Sequence, residues 1–338
     1  MLINFIFVYF VFSLFFIGIC KKYNLFVDNK VEKHKKYSSN LKSYSIGGIL
    51  LILFFTYYFI FISLDYLFLS LLLLIFSIGF FSDLRKIHSV SLRFFLQIIF
   101  IAFFINFLNI EIISTKVNFL DKLLENKLIN IFFVTFCITV LINGANFIDG
   151  LNGLVIKYHL IIYLVIMSFF SEFVFDTQLI QHIIIILITL LIFNLLGYLY
   201  LGDSGSYLLS LFTGIFLINF FFMNPSISPY YIIILLWYPC FELLFSMIRR
   251  FFKKTKTYKP DTHHLHQLIY KFILRNFKIK NKLIGHIITS SSINLFNLFT
   301  ILIATNFIYN SAILLSILLV NILFYFSIFS FLKKKKLL

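Results

Sequence analysis

Residues 183–206 read IIIILITLLIFNLLGYLYLGDSGS. From Ile183 to Tyr200 there is no charged side chain, and the run ends abruptly in Gly202-Asp203-Ser204-Gly205-Ser206. A bilayer core calls for about 20 apolar residues in a helix, so the sudden return to Gly, Asp and Ser marks the end of a span. The same alternation covers the whole chain. Apolar segments lie at 2–20, 46–63, 66–81, 94–109, 129–145, 155–171, 178–200, 205–223, 230–248, 287–309 and 311–332. Charged residues make up 12% of the sequence and hydrophobic ones 61%, against roughly 25% charged in a soluble domain; a water-facing surface is missing. The expectation is an all-α polytopic membrane protein of about eleven transmembrane helices, one membrane domain over 1–338. Ten is the alternative count, because polar residues crowd the end of segment 129–145. The first segment meets Lys21 and Lys22 with no small-residue cleavage site, so it is expected to be retained. Cys20, Cys137 and Cys240 match no metal-ligand spacing and are expected to be structural thiols.

Lysine and arginine set the expected orientation. Alternating the eleven segments across the bilayer puts 26 of the 29 basic residues on one side, in 21–44, 82–93, at Lys157, in 249–286 and at Lys333–Lys336. Only Lys116, Lys122 and Lys127 fall on the other, beside Glu111, Asp121 and Glu125. The basic side is therefore expected to be cytoplasmic, with the N-terminus outside and the C-terminus inside. The net charge of +16 then reflects topology and contact with anionic membrane lipids. No nucleic-acid recognition module accompanies it, and no nucleic-acid partner is expected.

The same alternation gathers four acids on the basic side, where the loops 21–44, 82–93, 146–154, 201–206 and 249–286 are expected to form the active site. Asp83 ends the third segment in Gly79-Phe-Phe-Ser82-Asp83-Leu-Arg85, and Asp149 follows the fifth in Asn146-Phe-Ile-Asp149-Gly150-Leu-Asn152-Gly153. Asp203 follows the seventh, and Asp261 lies in Asp261-Thr-His-His264-Leu-His266. A single Asp at a helix end is usually a cap, a Gly-rich stretch is usually a turn, and a His-rich stretch is usually a solvated loop. Four such features on one face are harder to dismiss, because acids at membrane depth are costly. Glycines let backbone approach an oxyanion, and carboxylates beside them suit Mg²⁺ held together with phosphate oxygens. Arg93, Arg249 and the nearby lysines can pair with the remaining phosphate charge. The inferred ligand is a diphosphate with Mg²⁺ at the membrane surface. A transporter is the main rival, but transporters put polar residues near the midplane. Here the midplane positions read as Leu, Ile and Phe, with Glu242 the exception in view.

In their order, these motifs resemble the polyprenyl-phosphate N-acetylhexosamine-1-phosphate transferases, glycosyltransferase family 4, in its WecA/TagO-like branch rather than its MraY-like one. The resemblance spans about 28–268. Asp28, His34 and Gly47-Gly48 are similar to the N-terminal segment, Gly79–Leu84 with Arg93-x-x-x-Gln97 to the acidic-pair motif, and Asn146–Gly153 to the nucleotide-site motif. Asn194 with Gly202–Ser206, and Glu242, Arg249, Arg250 and Asp261–His266, complete the set. The resemblance implies transfer of a sugar 1-phosphate from a UDP-N-acetylhexosamine, GlcNAc by default, to undecaprenyl phosphate with release of UMP. The setting implied is a bacterial cytoplasmic membrane and a cell-surface polysaccharide such as lipopolysaccharide, capsule or wall polymer. Mg²⁺, with Mn²⁺ as a substitute, is the implied cofactor, and a homodimer the implied assembly. Asp203 and Asp83 are the implied metal-side and catalytic carboxylates, joined by His264 and His266. Asn146, Asp149, Asn152, Asn194, Arg93, Arg249, Arg250 and Asp261 are the implied substrate contacts. Three positions depart from the pattern: Ser82 and Asn152 stand where the family has Asp, and Glu242 replaces an Asp. Two readings of Ser82 follow. Either Asp83 acts without a partner, or the attacking phosphate needs no base. A catalytically impaired member is the corresponding alternative function.

Overall fold

A computed structural model of the chain describes residues 2–27, 44–174, 176–252 and 264–335; Asp28, His34 and Asp261 lie outside them. Each of the eleven apolar segments falls on a helix: α1 (Leu2–Tyr23), α2 (Gly47–Phe61), α3 (Tyr66–Asp83), α4 (Val90–Leu108), and, after the short α5 (Asn118–Leu124), α6 (Lys127–Ile148). There follow α7 (Leu154–Phe169), α8 (Thr177–Leu195), α9 (Gly202–Met223), α10 (Pro229–Phe252), α11 (Leu265–Asn276), α12 (Lys282–Thr305) and α13 (Ser311–Lys334). Among the described residues nine helices are long and apolar enough to cross a bilayer, and α2 and α7 are shorter apolar helices. The fold is all-α, and the protein is a multi-pass membrane protein. Large side chains such as Phe7, Phe15, Phe132 and Leu323 are well exposed around the bundle, as a lipid-facing surface requires.

Polar residues at the segment ends start several helices. Asp65, Ser89, Asn126, Asp176, Asn281 and Asn310 each accept a hydrogen bond from a first-turn N–H, beginning α3, α4, α6, α8, α12 and α13. Ser89 starts α4 earlier than the apolar run does, so Arg93 is its fourth residue rather than part of the 82–93 loop. Residues 201–206, expected as a loop, are the first turn of α9 from Gly202 onward. The 249–286 loop contains the unforeseen helix α11.

The bundle is built around α9, which α2, α3 and α6 enclose. Small residues allow this approach: a Cβ on Gly48 or Gly79 would run into Ser204, and one on Gly144 into the Pro239 carbonyl. Pro239 leaves the Leu235 carbonyl of α10 without its helical N–H partner, and the Tyr158 hydroxyl donates to that carbonyl at 2.7 Å. A two-residue parallel pair, β1 (Tyr44–Ser45) and β2 (Leu199–Tyr200), ties the start of α2 to the start of α9. Sequence reading gave no sign of it.

The expectation of purely apolar midplane positions needs correction. It holds towards lipid but not inside the bundle. Buried Ser290, Asn294, Asn297 and Thr300 run along α12, and buried His159 of α7 faces Ser210 and Thr213 of α9. In hydrocarbon such groups must find internal partners, and Asn294 Nδ2 donates to the Leu154 carbonyl at 3.1 Å.

Candidate active site

The structure brings Asp83, Asp149 and Asp203 to one end of the bundle, where the C-terminal ends of α3, α6 and α8 meet the N-terminal ends of α2, α4, α7 and α9. The N-terminus of α9 organises it. Gly202 has φ +75°, a left-handed conformation that favours glycine. A Cβ there would also lie 2.7 Å from Asp83 Oδ2. Asp83 Oδ1 accepts the Asp203 N–H at 2.9 Å, and Oδ2 accepts the Ser204 N–H at 3.1 Å and its hydroxyl at 2.7 Å. Both oxygens of Asp83 are thus spent on the first turn of α9, where exposed N–H groups and the helix dipole favour a negative charge.

Asp203 faces a different set of donors. Its Oδ2 accepts from the Ser82 hydroxyl at 2.6 Å and forms an ion pair with Arg93, and its Oδ1 accepts from Asn146 Nδ2 at 2.8 Å. Arg93 also donates to Ser82 Oγ, and Asn146 Nδ2 lies 3.1 Å from Ser206 Oγ. The Asp203 side chain keeps 27% of its surface exposed, so the carboxylate is positioned yet reachable. Gln97, one turn after Arg93, accepts from Asn143 Nδ2 at 2.8 Å and fixes α4 against α6.

The end of α6 joins this cluster to the histidines. Asn146 reaches Asp203, while the next residue, Phe147, packs edge-on against His264 with centroids 5.2 Å apart. The Arg250 guanidinium lies 5.5 Å over the same Phe147 ring. His264 Nδ1 donates to Glu242 Oε1 at 3.0 Å, since a carboxylate only accepts; in the neutral ring this leaves Nε2 as the acceptor. Glu242 also accepts from the Leu265 N–H at 3.3 Å and the Tyr325 hydroxyl at 2.8 Å, so one buried carboxylate ties α10, α11 and α13 together. The His264 and His266 rings stack 5.6 Å apart. A Cβ on Gly150 would lie 3.3 Å from His266 Nε2. Asp149, beside Gly150, caps the end of α6.

Burial pushes His266 down to about 3, so the ring is neutral near pH 7. The unfolded chain binds a proton there below about pH 6.5 while the folded chain does not. Stability should therefore fall as pH drops from about 6.5 towards 3, by up to about 1.4 kcal/mol per pH unit. Melting temperatures in detergent between neutral pH and about pH 5 should show a shallower slope for His266→Gln than for the parent. Identical slopes would refute the assignment.

Asn152 and Asn194 are buried and hold the loop after α6 to the end of α8. Asn152 Nδ2 donates to the Asn194 carbonyl at 2.6 Å, the Gly153 N–H donates to Asn194 Oδ1 at 2.5 Å, and Asn194 Nδ2 donates to the Leu199 carbonyl at 2.9 Å. An aspartate at 152 could not donate to that carbonyl, which gives the amide a physical reason. His286 Nδ1 of α12 lies 2.8 Å from Asn152 Oδ1; a lone His after a lysine-rich loop carried no signal of this. Of the two arginines, Arg250 is at the site, whereas Arg249 lies over the rings of Phe245 and Phe329. Asp261 lies outside the described residues. Among the described residues no three His, Cys, Asp or Glu side chains gather to hold a metal.

Residues 65–221 match the family model described as Glycosyl transferase family 4. An undecaprenyl-phosphate alpha-N-acetylglucosaminyl 1-phosphate transferase of Thermotoga maritima is 25% identical over 189 residues, covering 51% of this chain and 56% of that protein. The chain thus spans little more than half the length of this curated relative. The family match runs from the start of α3 into α9 and takes in Asp83, Arg93, Asn146, Asp149 and Asp203. Over residues 65–221, with its ordered motifs converging on the start of α9, the chain is similar to glycosyl transferase family 4.

Proposed function

We propose that the protein transfers a sugar 1-phosphate, N-acetylglucosamine 1-phosphate by default, from a UDP-sugar to undecaprenyl phosphate, as the first membrane step of a cell-surface polysaccharide. The observation that carries this reading is the Ser82–Arg93–Asn146–Asp203 cluster at the α9 N-terminus. It sets one accessible carboxylate among neutral and cationic donors where a helix end favours anions. In the reaction a phosphate oxygen of the lipid attacks the sugar-linked phosphorus. The bond from that phosphorus to the bridging oxygen breaks, and UMP leaves with the oxygen. Such a transfer rests on positioning and charge neutralisation.

The residues present fit Mg²⁺ through Asp203, because the ion takes one or two carboxylates together with phosphate oxygens. Mg²⁺, or Mn²⁺ in its place, would neutralise diphosphate charge and stabilise the leaving oxygen. Arg93 and Arg250 carry the remaining phosphate charge, Asn146 and Asp149 serve the nucleotide side, and His264 Nε2 faces phosphate as acceptor or, once protonated, donor. Asp83 acts by fixing the helix that presents Asp203. A phosphate monoester has its second pKa near 6, so the attacking dianion needs no base at pH 7. The serine at 82 and the occupied oxygens of Asp83 support that choice. The charge asymmetry supports a site on the cytoplasmic face of a bacterial inner membrane.

Purified protein with undecaprenyl phosphate, Mg²⁺ and a panel of UDP-N-acetylhexosamines should release UMP and form lipid-diphosphate sugar. No UMP from any member of the panel would sink the reading.

A further inference from the structure

The ends of α11 and α13 form a second polar recess, apart from the Asp203 cluster. Phe272, Arg275 and Asn276 from the last turns of α11 and Lys335 from the end of α13 line about 220 Å³. Nine residues of helix separate Arg275 from His266, about 14 Å of rise. The volume is below the roughly 300–1,000 Å³ of sites that enclose a whole small molecule, so the recess suits a headgroup rather than a nucleotide.

Among the described residues no acidic side chain answers its charge. No Asp or Glu follows Asp261 in the sequence, whereas Lys271, Arg275, Lys278, Lys280, Lys282 and Lys333–Lys336 do. Among the described residues neither Arg275 nor Lys335 forms an ion pair. Lys335 Nζ rests instead 5.0 Å from the Phe272 ring centroid and 4.8 Å from that of Phe331, a weak attraction at an exposed site. The plainer explanation is that cations here offset helix dipoles. Two helix C-termini supply only about −0.5 each, however, against Arg275, Lys333 and Lys334 in the last turns and Lys335 beyond them. A net positive charge remains and calls for an external anion.

The surroundings identify the source. Val320, Phe324 and Phe331 follow one another at helical spacing on α13 and are 62%, 44% and 51% exposed. This apolar strip leads along the lipid-facing side of the bundle down to the recess. Free phosphate would have no use for it, and an acyl chain would. We propose that the recess binds the headgroup phosphate of an anionic phospholipid, with Arg275 and Lys335 on its oxygens, Asn276 on its polar substituent and an acyl chain along Val320, Phe324 and Phe331. Basic recesses at the membrane surface between helix ends are suited to this. The site is independent of the sugar and of the transfer reaction.

Native mass spectrometry of protein from nanodiscs containing phosphatidylglycerol and phosphatidylcholine should show one phosphatidylglycerol retained in preference. The double variant Arg275→Gln/Lys335→Gln should bind it about 30-fold more weakly, as expected for two charges near an anionic surface at about 1 kcal/mol each. Lys278→Gln/Lys280→Gln removes the same charge outside the recess and should leave retention near that of the parent. No preference in the parent protein, or equal losses in the two variants, would overturn the proposal. So would a rise in melting temperature on adding inorganic phosphate in pure phosphatidylcholine, which would make free phosphate the ligand.

Discussion

Under the proposed function, Asp203→Asn should lower turnover in UMP release by roughly 10³-fold, while melting temperature in detergent drops only modestly, because one of the two oxygens that accept from Ser82, Arg93 and Asn146 becomes an NH₂ group. The asparagine keeps the shape of the side chain, and the backbone N–H at 203 still donates to Asp83. What goes is the charge that pairs with Arg93 and that is proposed to meet the metal. The readout is initial rate at saturating UDP-sugar with a parallel thermal melt. Retention of more than a tenth of parental turnover would remove Asp203 from the chemistry. A collapse of the melt would make it a structural residue instead.

Asp83→Asn should do the reverse in proportion. One carboxylate oxygen becomes an NH₂ group that faces an N–H donor, so at least one of the three hydrogen bonds into α9 turns repulsive. Losing a helix cap costs about 0.5–2 kcal/mol, and leaving a buried donor unsatisfied adds about 1–3 kcal/mol. The melt should drop by several degrees, and activity should fall with it because the carboxylate at 203 is no longer aimed. Raising Mg²⁺ should not restore the rate. A normal melt with lost activity would instead give Asp83 a direct part in the reaction.

The apolar segments were legible because lipid imposes length and composition on any span, and each of them falls on a helix. Helix ends were less so. The apolar count misses the cap at Ser89, which carries α4 back over Arg93, and it reads Gly202–Ser206 as a turn because glycine and serine at a helix start resemble a loop. The meeting of Asp83, Arg93, Asn146 and Asp203 could be anticipated from alternation across the membrane together with the family motifs. The different hydrogen-bond partners of the two carboxylates could not, since sequence does not say which oxygen meets which donor. Nor could the joints formed by His286 with Asn152 and by Tyr325 with Glu242, because partners 134 and 83 residues away leave no local pattern.

The clasp between Asp83 and the first turn of α9 joins residues 120 positions apart, and synthesis must deliver its halves at different times. At 5–20 residues per second the wait is roughly 6–24 s. Throughout that interval α3 is made but its terminal acid has no helix to hold, and water and lipid headgroups must keep it at the surface. The arrival of α9 then gives Asp83 its partners, and α10 and the start of α11 bring Arg250 and His264 to the site after it. Nascent chains that stop short of residue 202 should carry every earlier motif and have no activity to show for them.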